Sequence, residues 1–151
     1  MKPGLAQQLL RAALDELAMA RSHLDYSAGK VADLPEDLRG ASADQLECVE
    51  AFCSRFARTV DLLVNKVLRS LDRAELLSQG TLIDVVNRAE KRGFVERAEV
   101  LREMKDVRNI IAHDYAGAKL PEIFAWCKQQ KPVFDGVCDR TIAYALRLLH
   151  K

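Results

Sequence analysis

The sequence predicts an all-α fold: a single domain over residues 1–151, built as an up-and-down bundle of five or six helices. Three observations carry that expectation. Apolar residues recur in steps of three and four along most of the chain, and nowhere does a period of two persist long enough for a sheet. Aromatic residues make up only 6%, while Leu, Ala, Glu, Lys and Arg are plentiful, a composition that favours helices. Hydrophobic residues at 49% and charged residues at 30% suit a globular chain long enough to bury a core.

The first helix is expected over residues 4–28, with Leu10, Leu14, Leu17, Ala20 and Leu24 on one side and Gly29 as its stop. A loop follows through Leu34-Pro35-Glu36-Asp37 and Arg39-Gly40. Ser42-Ala43-Asp44-Gln45 has the form of a capping box, Ser42 as N-cap and Gln45 reaching back. It opens the longest helix, about 43–76. Its apolar positions Leu46, Val49, Cys53, Phe56, Val60, Leu63 and Val67 alternate steps of three and four, as in shallow-angle bundle packing. Leu62, Val64 and Leu68 widen that stripe, so this helix is expected to touch neighbours on two sides.

Ser78-Gln79-Gly80 is a break, Thr81-Leu82-Ile83-Asp84 caps a short third helix, and Gly93 closes it. A fourth helix, about 96–115, is expected to bury Val100, Met104, Val107 and Ile111. Leu120-Pro121-Glu122 starts the next segment with proline near its first turn, and Pro132 is expected to interrupt it. Phe134, Cys138, Thr141, Ala145 and Leu148 form the stripe of a final amphipathic helix.

A net charge of +1 excludes a general polyanion-binding surface, so any nucleic-acid affinity must come from a local patch. The series Arg88, Lys91, Arg92, Arg97, Arg102, Lys105 and Arg108 is the best candidate, but interleaved acids read as a salt-bridged solvent face. Cys48, Cys53, Cys127 and Cys138 lack zinc-site spacing and read as reduced packing residues; no metal or other cofactor is expected. No glycine-rich phosphate loop is present, and His23, His150, Phe124 and Trp126 read as surface, terminal or packing residues. No apolar segment approaches membrane-spanning length, which points to a cytoplasmic protein.

One octapeptide stands apart: Arg108-Asn109-Ile110-Ile111-Ala112-His113-Asp114-Tyr115, or Arg-x4-His-x-Tyr. On a straight helix Arg108 and Tyr115 share a stripe, within about 20° of each other, and Asn109 and His113 share a second. Arg108 and His113 would stand about 140° apart, so one helix does not easily aim both at the same atom. Either the helix ends or distorts near His113, with Ala116-Gly117-Ala118 as a candidate stop, or a second copy of the chain completes the site. Arginine offers a permanently charged fork for phosphate oxygens, and histidine titrates near neutrality. That pair suffices, without a metal, for RNA cleavage by the internal 2′-hydroxyl, with Asn109 in support. An exposed arginine at a helix end also serves as a plain solvated charge, and the spacing alone does not separate the two.

The octapeptide resembles the signature of the HEPN superfamily, more closely its HepT-like branch. The similarity extends through Leu82-Ile83-Asp84-Val85-Val86, Lys91-Arg92-Gly93-Phe94 and Leu101-Arg102-Glu103-Met104, covering about residues 42–130. The resemblance implies a dimeric, metal-independent ribonuclease toxin with Arg108 and His113 catalytic and RNA as substrate. It further implies a minimal nucleotidyltransferase as antitoxin partner, which adds AMP to the motif tyrosine, here Tyr115. The related alternative is a non-catalytic substrate-binding subunit of such a nucleotidyltransferase.

Overall fold

The computed structural model describes residues 4–151, and all regular structure among them is helical. Helix α1 spans Leu5–Val31. Helix α2 is one rod over residues 43–74, α-helical over Ala43–Leu62, π-helical over Leu63–Leu68 and α-helical again over Arg69–Ala74. Helices α3 (Leu82–Lys91), α4 (Ala98–His113) and α5 (Leu120–Leu149) complete five.

Helix α2 is the centre, and each of the other four packs against it. Its expected stripe is buried from Val49 to Val67, with Leu46 half-buried at the start. The neighbours on two sides are real: Val64, Leu68 and Leu71 are all fully buried beside that stripe. The π segment accounts for them. Widening the turn to five residues places Leu63 and Leu68 on the same inward side, and hands the buried register from 60/63/67 to 64/68/71. Toward α5 the core is aromatic, with Phe52 edge-on to Phe124 at 6.0 Å and Phe56 edge-on to Phe134 at 5.5 Å and Trp126 at 5.9 Å.

Both capping boxes form. The Ser42 hydroxyl accepts from the Gln45 N–H while Gln45 accepts from the Ser42 N–H, and Thr81 and Asp84 reciprocate in the same way. Three expectations need correcting. Gly29 does not stop α1, because Val31 two residues on is buried and holds the last turn. Pro132 does not interrupt the fifth helix, which runs 30 residues through it. Proline withholds an N–H from the Lys128 carbonyl, but Pro132 itself sits on the exposed face of the helix, and the buried Cys127 and Phe134 pin both sides. On α4 the buried residues are Ala98, Leu101, Met104 and Val107, while Val100 and Ile111 are only half-buried.

Beyond the caps, α3 is fixed to α2 by charge. Asp72, 1% exposed, accepts from Arg88 at 3.0 Å and Arg92 at 2.7 Å, and Arg92 also reaches Glu75 at 2.8 Å. Tyr144 of α5 donates to Glu75 at 2.8 Å, and Arg92 lies over its ring; burial and the Glu75 charge hold that phenol above its usual pKa. The expected salt-bridged face thus exists in part, but its acids come from α2 rather than from the interleaved positions. Asp72→Ala leaves two partly buried arginines without their carboxylate. We expect a loss of about 3–5 kcal/mol, read from urea unfolding midpoints at unchanged slope.

Candidate active site

The motif occupies the last turns of α4 and the loop after it. Arg108 leaves the helix on the side facing α2, where one of its Nη atoms donates to Asp61 Oδ2. Asp61 is nearly buried, its side chain 10% exposed, and its other oxygen lies 2.9 Å from Lys105 Nζ. That second contact is an ion pair without hydrogen-bond alignment, since Oδ1 has no geometrically sound donor. One buried carboxylate therefore serves two cations, leaving the cluster with a net positive charge. The Arg108 side chain remains 68% exposed, so the rest of its fork faces solvent while one corner is anchored.

Asn109 is exposed, and its amide donates at 3.3 Å to Asp106, one turn earlier, rather than toward His113. His113 is exposed and is the last residue of α4. The helix ends there because Asp114 turns away: its backbone leaves helical geometry, and its carboxylate accepts the Lys119 N–H at 3.0 and 3.2 Å. The Gly117 N–H donates to the Asp114 carbonyl at 3.1 Å, with Gly117 in the left-handed region at φ 70°. The helix thus stops before the Ala116-Gly117-Ala118 run, and a tightly pinned loop follows.

That early stop overturns the expected stripe shared by Arg108 and Tyr115. Tyr115 lies past the helix end and folds back to His113. Its hydroxyl faces Nδ1 at 3.4 Å, and the rings meet edge-on at 6.1 Å. The tyrosine is otherwise 88% exposed. Within one chain, Arg108 lines a depression of about 240 Å³ with Ser54, Ala57, Arg58, Ile111 and Ala112, and neither His113 nor Tyr115 belongs to it. A single chain therefore presents the arginine on one side of the helix end and the His–Tyr pair on another.

Asp61 and Asp114 escaped the reading of the sequence. Asp61 left a signal, as an acid directly after Val60 and before three consecutive apolar residues, where a charge must find partners. Asp114 stood inside the octapeptide as a variable position. Among the described residues, no group of three or more His, Cys, Asp or Glu is placed to hold a metal ion, and no helix is long and apolar enough to cross a membrane. Cys53, Cys127 and Cys138 are buried and Cys48 half-buried, all as free thiols, with burial pushing Cys138 up to about 12.

No curated protein and no solved structure matches this chain. A family model described as Ribonuclease HepT-like matches residues 63–141, which starts and ends later than the 42–130 expected from the residues. The match spans more than half of the 151 residues and takes in the π segment, the short helix, the whole motif and most of the last helix. This all-α bundle belongs to the HepT-like ribonuclease family, a family of HEPN type.

Proposed function

We propose that the protein is a metal-independent endoribonuclease toxin whose active cleft is formed by two copies of the chain. The observation that carries this reading is the exposed motif at a rigidly held helix end, in a chain of a ribonuclease family. Arg108 is held from behind by Asp61, and the loop beyond His113 is pinned by Asp114, so the backbone that carries both groups is set before substrate arrives. Because the arginine and the histidine diverge within one chain, the homodimer supplies the missing convergence.

The reaction follows from the groups. His113 accepts the proton of the ribose 2′-hydroxyl as its oxygen attacks the adjacent phosphorus. The P–O5′ bond breaks, leaving a 2′,3′-cyclic phosphate, and the partner copy's imidazolium protonates the departing 5′-oxygen. Arg108 donates its free N–H groups to the phosphoryl oxygens as negative charge accumulates there. Asn109 supports the phosphate from the neighbouring face.

Tyr115 is the regulatory position in this reading, modified by an antitoxin nucleotidyltransferase that transfers AMP from ATP and releases pyrophosphate. The hydroxyl is open to such an enzyme without unfolding. The bulky phosphate would stand against His113 rather than Arg108, because of the 3.4 Å contact between Oη and Nδ1. It silences the site by occupying the imidazole's approach and holding its proton. The second reading, a non-catalytic subunit presenting substrate to a nucleotidyltransferase, draws on the separation of Arg108 from His113 within one chain.

Three outcomes test this. Purified protein should cleave total RNA in EDTA, and His113→Ala or Arg108→Ala should lower the rate at least about a hundredfold with the fold intact by circular dichroism. Loss of wild-type cleavage on chelation would refute the metal-free assignment, and absence of cleavage under all conditions would favour the binding subunit. Asp61→Asn should depress kcat more than it raises KM, by roughly tenfold, because Arg108 stays charged but its anchor falls from a carboxylate to a neutral amide oxygen. Incubation with a cognate nucleotidyltransferase and ATP should add one AMP mass to the peptide bearing Tyr115, and to no peptide of Tyr115→Phe.

A further inference from the structure

Beyond the motif, helix α2 carries two arginines that no expectation from the sequence had singled out. Arg55 and Arg58 are three residues apart and so neighbours on one face. Arg58 is exposed and shares with Arg108 the depression between α2 and α4, which stays open because Ser54, Ala57 and Ala112 are small. On its other side Arg58 lines a second depression of about 270 Å³, over α1, together with Arg55 and His23. Basic groups therefore follow one another over two helices, from Arg108 on α4 through Arg58 to Arg55 on α2.

No acid among the described residues of that face neutralises Arg55 or Arg58. Among the described residues Arg55 and Arg58 form no ion pair. Arg55 spends its donors on neutral acceptors, the Ser27 hydroxyl at 2.8 Å and the His23 carbonyl at 3.2 Å. Asp61, one turn beyond Arg58, is already shared by Lys105 and Arg108. Glu16, on the far rim of the second depression, is taken by Lys66 at 3.0 Å. Elsewhere, Asp72 answers Arg88 and Arg92, and Asp135 answers Arg21 and Lys131.

We infer that Arg58, continued by Arg55, is a phosphate-binding track that leads single-stranded RNA away from Arg108 across α2 toward α1. Resting on the ribonuclease reading, it assigns a direction and a further binding residue to the substrate. A guanidinium fork with a free face is matched to a phosphodiester, and a row of such forks to a polymer carrying one negative charge per nucleotide. The carboxylates of an acidic protein would satisfy the same forks. RNA is favoured because the row begins at the motif arginine and shares its depression.

The test uses full-length protein silenced by His113→Ala, with fluorescence anisotropy of a labelled trinucleotide-length RNA and a longer single-stranded RNA over a salt series. Adding Arg58→Ala should weaken the longer RNA roughly three- to tenfold at low salt and the short one less than about twofold. The slope of log affinity against log salt should fall in magnitude by about 0.7, one single-strand phosphate contact, and Arg58→Lys should restore it. Thermal unfolding of both variants should match the parent, since Arg58 is exposed. Equal affinity and slope with and without Arg58, or a lysine variant as defective as the alanine, would overturn the track while leaving the ribonuclease reading standing. RNA bound through Arg58 but never cut when His113 is restored would do the reverse. A parent that binds no RNA overturns both.

Discussion

Two buried carboxylates on one helix organise this molecule. Helix α2 packs against every other helix and is therefore apolar on most of its circumference, yet it carries Asp61 and Asp72 at 8% and 1% exposure. A carboxylate removed from water is tolerated only with cations and donors around it. Each draws a pair from a different downstream helix: Arg88 and Arg92 for Asp72, Lys105 and Arg108 for Asp61. The spacings are four and three, so each pair stands on one helical face, and each helix is fixed in rotation as well as position. Hydrophobic burial is non-directional and would hold α3 and α4 against α2 at several rotations.

The two clamps differ in what they leave free. Around Asp72 the arginines are enclosed, Arg92 to 9% exposure, and a second acid and a tyrosine complete the satisfaction. Around Asp61 one partner, Arg108, stays mostly in solvent with donors to spare. The same device is finished as structure near the C-terminal end of α2 and left open nearer its middle, and the open one coincides with the motif. Stability and reactivity are thus arranged along a single rod, with the rigid clamp 11 residues along α2 from the open one.

Much of this was legible in the residues. Ser42 with Gln45 and Thr81 with Asp84 named their helix starts, because capping is local and depends on two side chains three apart. The stripe from Val49 to Val67 named the central helix, because burial and helical period act on the same positions. The features that escaped depend on contacts distant in sequence or on small departures from ideal geometry. Pro132 reads as a break until its exposure is known. Tyr115 falls on the Arg108 stripe only if the helix continues, and whether it does is decided by Asp114 reaching Lys119. The partners of the basic series could not be chosen among nearby acids, since the true ones lie 16 to 47 residues earlier.

The π segment has an implication for how this chain tolerates changes in length. A π turn holds one residue more than the α turn it replaces, so deleting a single residue within 63–68 would let α2 relax to uniform geometry. Because the π turn has already absorbed that residue, the helix on either side would keep its facing, and only a second deletion would swing everything after it by about 100° relative to everything before it. After that second loss Asp61 would keep its orientation while Asp72 turned out of reach of its arginines. Lineages of this fold are therefore expected to tolerate the loss of one residue between those two aspartates, within 63–68, but not of two.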